Sequence, residues 1–284
     1  MNEIIKLCIG DIVIELAVGP TVDHIRLQET YLRFLTDQVS DSRFVVHCEA
    51  ESIRRSDVCR FDTNLGWQVL DRGNHLIIHV DASEVGSEAL VITDQHFRKG
   101  DIFFPEGESR LGHFPRPLSR QILIGLLSQG LGVILHASGV SVGGQGFLFA
   151  GTDGVGKTTT AKLWATHANG TIIGDDQIIV REREGKMWMY STPWHGVNCT
   201  MDVVPVSRIF IIRQGKANQL SPVVSPARAT AQLLKRSFPP LWSAEGMAFT
   251  LDFLSQLCVS VPVHDFAFVP DRSAVEMIQC LDDV

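Results

Sequence analysis

The sequence predicts an α/β fold in two parts, an N-terminal α+β region over residues 1–105 and an α/β domain over residues 106–284. Three observations carry this expectation. From Leu118 onward, apolar runs of strand length alternate with stretches of helical pattern. The glycine-rich segment Gly151 to Gly156 sits between an apolar run and a helical one. The turn-rich stretches Phe103-Phe104-Pro105-Glu106-Gly107-Glu108 and Phe114-Pro115-Arg116-Pro117 separate this order from what precedes it.

In the first part, strands are expected at Ile12–Val18, Phe44–His47 and Leu76–Val80, and a helix over about Val22–Leu35. In the second, a helix over Leu118–Ser128 is closed by Gly130. Short strands follow at Val133–His136 and Gly139–Val142, and Gly143-Gly144-Gln145-Gly146 turns the chain into the strand Phe147–Ala150. A helix over Lys157–His167 ends near Asn169-Gly170, and Thr171–Ile173 is a brief strand. Gln177–Glu182 and Met187–Tyr190 form a hairpin whose tip, Arg181 to Lys186, reads as solvated. The remaining elements are a strand at Ser207–Arg213, helices at Ser225–Arg236 and Ala244–Val259, a strand at Val263–Phe268 and a closing helix at Arg272–Leu281.

Composition excludes several classes. With 25 basic and 32 acidic residues the formal charge is −7, which argues against a basic nucleic-acid-binding surface. At 45% hydrophobic and 20% charged the chain has ample core material. The charge-free run Gln121–Thr152 is broken by glycines from Gly125 to Gly144 and by Gln129, His136, Ser138 and Gln145, so it reads as buried α/β core and no membrane association is expected. Glu3, Asp11 and Glu15 near the start speak against a secretory signal, and a cytoplasmic protein is expected. The six scattered cysteines lack the close pairs of a structural zinc site and read as buried free thiols. A homo-oligomer is compatible with all of this.

The segment Gly151-Thr152-Asp153-Gly154-Val155-Gly156-Lys157-Thr158 fulfils the G-x-x-x-x-G-K-[ST] pattern of a P-loop, or Walker A motif, and Thr159 continues it. Glycines let backbone N–H groups converge on phosphate oxygens, Lys157 supplies a cation, and a helix N-terminus adds its partial positive charge. The Thr158 hydroxyl suits Mg²⁺. The motif points to ATP or GTP; the plain alternative is a glycine-rich turn. Gly174-Asp175-Asp176 closes the Thr171–Ile173 strand, which is expected beside the Phe147–Ala150 strand because only one helix separates them. Adjacent carboxylates at a phosphate site can divide two tasks, holding Mg²⁺ and accepting a proton, or can simply cap a turn. His136 ends a strand 21 residues before Lys157 and reads either as a core histidine or as the partner of a carboxylate.

His136-Ala137-Ser138-Gly139-Val140, the Gly151 to Thr158 loop and Gly174-Asp175-Asp176, taken in this order, resemble the catalytic domain of HPr kinase/phosphorylase, whose nucleotide site is similar to that of ATP-dependent phosphoenolpyruvate carboxykinase. The resemblance covers roughly Leu118–Arg213; the C-terminal tail looks like that of shorter HPr-kinase-like proteins of peptide-modification clusters, of the lasso-peptide or SynChlorMet type. It implies an ATP- and Mg²⁺-dependent serine kinase acting on a protein or peptide hydroxyl, with Lys157 on the β/γ-phosphates and Thr158 and Asp176 at the metal. Asp175 becomes the general base and His136 its partner. Two features depart from the family. Thr192-Pro193-Trp194-His195-Gly196-Val197-Asn198 lacks the family's metal-linked glutamate, so a metal would rely on fewer protein ligands or recruit Asp202, and only Arg208 and Arg213 are candidates for its arginine. Phosphorolysis is therefore not carried over. Trp194 and His195 read either as a packed turn or as part of the site. The alternatives are a non-catalytic ATP-binding accessory protein of a peptide-modification pathway and a small-molecule kinase or carboxykinase-like enzyme.

Overall fold

The computed structural model describes residues 3–64, 66–81, 88–105, 111–114, 116–194 and 200–281. The fold is mixed α/β with two large sheets, and the chain divides into two compact units, Met1–Gln129 with Pro240–Ala244 and Gly130–Pro239 with Glu245–Val284. The division falls after Gln129 rather than at 105/106. Helix α1 (Arg116–Leu127) goes with the first unit because a Cβ on its Gly125 would stand 2.5 Å from the Phe97 ring, and because Ser119 and Tyr31 share a buried hydroxyl hydrogen bond of 2.7 Å.

The first unit is built on strands β1 (Ile4–Ile9), β2 (Ile12–Val18), β3 (His24–Arg26), β4 (Ser42–Cys48), β5 (Val58–Asp62), β6 (Trp67–Arg72), β7 (His75–Val80), β8 (Ala89–Asp94), β9 (Lys99–Phe104) and β10 (Leu111–His113). Eight of them form one sheet in the order β1-β2-β4-β9-β8-β7-β6-β5, while β10 pairs with β3. Every residue of β2 is buried, including Glu15, which Arg43 offsets at 3.3 Å. Trp242, from the returning segment, packs edge-on against Trp67 at 5.9 Å.

The helix expected over Val22–Leu35 does not form. Val22 and Ile25 are buried between exposed Asp23, His24 and Arg26, so this stretch contributes β3 instead. The 3₁₀ helix Glu29–Phe34 follows, burying Tyr31 and Phe34 three positions apart, the repeat of that helix. Among the described residues, 1–105 is thus dominated by strands rather than an even α+β mixture.

The second unit contains β11 (Val133–Leu135), β12 (Ala137–Val142), β13 (Gln145–Ala150), β14 (Thr171–Gly174), β15 (Ile178–Arg183), β16 (Lys186–Tyr190), β17 (Val204–Gln214), β18 (Gln219–Pro222) and β19 (Val263–Phe268). Its helices are α2 (Lys157–His167), α3 (Pro226–Leu234), α4 (Ala244–Ser260) and α5 (Arg272–Gln279). The strands run in the order β11-β15-β16-β17-β13-β12-β14, and β19 joins β17 to β18. Leu148, Ala150, Ile209 and Ile211 pack with Ala229 and Leu233 of α3 and Phe253, Leu254 and Leu257 of α4. Phe147, Phe149, Phe210 and Ile212 pack with Trp164 of α2 and with Ala274, Val275 and Ile278 of α5. Alternate residues of β13 and β17 therefore bury into opposite helical layers, which is why these strands are continuously apolar. On α2 the buried positions Lys157, Thr160, Ala161 and Trp164 recur at one face of a 3.6-residue period.

β14 is not the neighbour of β13, as the short connection suggested; β12 lies between them, antiparallel to both. The charge-free run becomes the end of α1 and the strands β11–β13, largely buried as expected. No helix among the described residues is long and apolar enough to cross a membrane. The thiols are corrected: Cys8, Cys48 and Cys258 are half-buried, while Cys59, on the edge strand β5, and Cys280 are exposed. Cys199 lies outside the described residues.

Candidate functional site

Because β12 runs antiparallel to both neighbours, its N-terminal end meets the C-terminal ends of β13 and β14. Ala137 pairs with Ala150, and Gly139 with Gly174. Backbone hydrogen bonds join the three segments just beyond the strands: Gly151 N–H donates to the His136 carbonyl and Ala137 N–H to the Asp176 carbonyl, each at 3.1 Å. Three stretches far apart in sequence thus share one rim.

The loop leaving β13 depends on its glycines. Gly156 has φ of 107°, in the left-handed region, and a Cβ there would stand 2.8 Å from Cζ of Phe268. Gly156 is the N-cap residue of α2 and provides no side-chain cap, so the first-turn N–H groups of the helix have no side-chain acceptor from it. Thr160 bonds the Gly156 carbonyl through both its N–H and its hydroxyl, at 2.9 Å each.

Lys157 is buried, at 6% exposure, and its ammonium donates to the Thr152 carbonyl at 3.0 Å and lies 3.7 Å from Asp176 Oδ1. Burial pushes its pKa below the usual lysine value, against the opposing pull of Asp176, Asp153 and Asp175. His136 Nε2 lies 2.7 Å from Asp176 Oδ1 and 3.2 Å from Asp153 Oδ1, with the Phe238 ring 5.7 Å away. The ligand atoms of His136, Asp153 and Asp176 all fall within 4.8 Å of one another. Thr158 and Thr159 are exposed at the start of α2, as are Thr152, Asp153 and Gly154 in the loop, while Gly151 is buried and Val155 half-buried.

The residues singled out in the three motifs therefore converge, with one pairing different from expectation. His136 partners Asp176, and Asp175 instead accepts a hydrogen bond of 2.5 Å from the Ser138 hydroxyl. Asp176 has φ of 76°, and this left-handed turn sends the adjacent carboxylates to different partners. Asp202 is exposed and is not part of the converging His136, Asp153 and Asp176 group. Arg208 pairs in register with Phe147, at the far half of β13, whereas exposed Arg213 lies next to Gln214, whose amide donates to the Gly154 carbonyl at 3.1 Å. Trp194 is buried, in keeping with a packed turn; His195 to Asn198 lie outside the described residues. The hairpin tip is exposed from Glu182 to Lys186. Sequence reasoning gave Ser138 no role, although it stands two residues after His136 on the same strand.

No protein-family model matches the chain, and no curated protein matches it. Among solved structures, the chain is similar to the Hpr(Ser) kinase/phosphatase from Coxiella burnetii at 12% identity, with a TM-score of 0.32, over 53% of this chain and 88% of that one. The likeness is a distant one.

Proposed function

We propose that the second unit is an ATP- and Mg²⁺-dependent kinase that transfers the γ-phosphate to a hydroxyl, that of a serine, in a protein or peptide. The observation that carries this reading is the convergence of Lys157, Asp175, Asp176 and His136 on the rim where the Gly151–Gly156 loop enters α2. Phosphoryl transfer asks little covalent chemistry of a protein; it needs positioned charge and one group to take a proton.

In this reading the loop amides and the N-terminus of α2 bind the phosphates, and Lys157 exchanges the Thr152 carbonyl for the β- and γ-oxygens. An anionic partner offsets the cost of its burial and favours the charged ammonium. The exposed Thr158 hydroxyl and the Asp176 carboxylate are hard oxygen donors that fit Mg²⁺, with Asp153 nearby. When bound, the metal would neutralise charge on the phosphates. His136, packed by Phe238, orients Asp176. Asp175 accepts the proton of the attacking hydroxyl as the acceptor oxygen bonds to phosphorus and the bond to the leaving ADP oxygen breaks.

The test is incubation of the full chain with γ-labelled ATP, Mg²⁺ and a random-sequence serine peptide mixture, with the label mapped by mass spectrometry. Label on serine that disappears in Asp175→Asn while ADP affinity persists is the expected result. Tight ATP binding with no transfer to peptide or water would overturn the kinase and favour the accessory protein.

A further inference from the structure

Ser138 is fully buried on β12, and its hydroxyl donates to Oδ1 of Asp175 at 2.5 Å. It pairs in register with Phe149, whose ring packs in the layer under α2, so the two side chains lie on the same sheet face. Immediately after it, the pairing of β12 with β14 shifts register between Gly139 and Val140. Such an irregularity re-aims neighbouring side chains, and here it lies between the strand carrying Ser138 and the strand whose end carries Asp175. A fully buried hydroxyl supplied by the strand paired on both sides, between β13 and β14, is a rigid donor, in contrast to the half-buried Asp175 that it holds.

We infer that Ser138 is a positioning residue for phosphoryl transfer: its hydroxyl fixes one oxygen of the Asp175 carboxylate so that the other faces the acceptor hydroxyl. This rests on the kinase reading above. Ser138 touches neither nucleotide nor acceptor; it acts by limiting the rotation of a carboxylate attached to a strand end. Catalytic geometry of this kind tolerates little misplacement, and a buried neighbour with a single fixed hydrogen bond is an economical way to supply it. Alternation along β12 gives the same conclusion, since Ala137 packs into the opposite layer and position 138 is the first β12 residue on the α2 side.

The test is a double-mutant cycle in the full chain, reading turnover of Mg²⁺·ATP with the random serine peptide mixture, ADP affinity by calorimetry and thermal unfolding. Ser138→Ala should lower kcat about tenfold, the scale of one hydrogen bond to a charged group, with ADP affinity and KM for ATP changed less than about twofold. Asp175→Asn should lower kcat about a thousandfold. Adding Ser138→Ala to it should cost less than about a further twofold, because the serine acts only through that carboxylate. A Ser138→Ala protein with unchanged kcat, or with kcat and ADP affinity falling together, overturns the positioning role while leaving the kinase reading in place. Full additivity in the double variant does the same. A wild-type protein with no turnover overturns the kinase reading and the role of Ser138 with it.

Discussion

His136 Nε2 and Asp176 Oδ1 lie 2.7 Å apart although 40 positions separate them in sequence. The same imidazole also reaches Asp153 at 3.2 Å, but the Asp153 side chain is 95% exposed and that of Asp176 only 25%. The two contacts are therefore unequal, since water competes for and screens the exposed Asp153 carboxylate far more than the half-buried Asp176 carboxylate.

This inequality predicts a split in metal dependence. Asp176→Asn should raise the Mg²⁺ concentration for half-maximal ATP turnover by at least about tenfold, and Asp153→Asn by less than about threefold. A magnesium titration of the two variants decides it; equal shifts would mean that exposure does not rank these carboxylates.

Gly156→Ala combines a left-handed backbone with a close approach to Phe268. A loss of about 1–3 kcal/mol in stability is expected, together with weakened ADP binding, because the entry to α2 must shift. Chemical denaturation and calorimetry report the two effects. Gly143→Ala, at a turn with positive φ and nothing within 4 Å of the added Cβ, should cost stability without touching ADP affinity.

The His264 imidazole, 8% exposed and stacked on Phe210, is held below the usual histidine pKa, first by burial and then by Arg208. A depressed value means that on acidification the unfolded chain takes up this proton before the folded one does. The contribution of His264 to stability is therefore present above about pH 6.5 and is lost as pH falls through its folded value. Its buried Nδ1 has no hydrogen-bond partner among the described residues. His264→Phe should flatten the fall in melting temperature between pH 7.5 and 5. An undiminished fall in the variant would assign the acid sensitivity to other groups.

Thiol reactivity should follow exposure and burial. Cys59 and Cys280 are exposed, whereas burial pushes the Cys258 thiol up, and Cys48 is raised by burial and by Asp23. Brief iodoacetamide treatment of the native protein at pH 7.5, mapped by mass spectrometry, should label Cys59 and Cys280 well before Cys258 and Cys48. Faster labelling of Cys258 than of Cys59 would contradict the packing of α4.

The second unit was legible because its strands are buried on both faces and bounded by glycines. Lys157–His167 and Val263–Phe268 match the predicted ranges, and the hairpin Ile178–Arg183 with Lys186–Tyr190 lies within a residue of expectation at most ends. The first unit hid its sheet. The edge strand β5 is nearly all exposed, and β9 begins Lys-Gly-Asp, so neither carries an apolar alternation. At the site, the sequence named His136, Lys157, Asp175 and Asp176 but paired the histidine with Asp175, whereas it meets Asp176. That choice depends on the left-handed turn at Asp176 and on the insertion of β12 between β13 and β14, both products of long-range pairing rather than of local propensity.

The insertion of β12 also means that the glycine-rich loop and its helix are only part of a working rim. A fragment beginning at Gly143 would keep Gly151 to Lys157 and the two aspartates, yet it would have neither His136 nor Ser138, and β13 and β14 would flank an open slot. The site is in this sense a property of the assembled sheet, since the strand that carries its histidine and its serine is also the strand that holds the other two ends together.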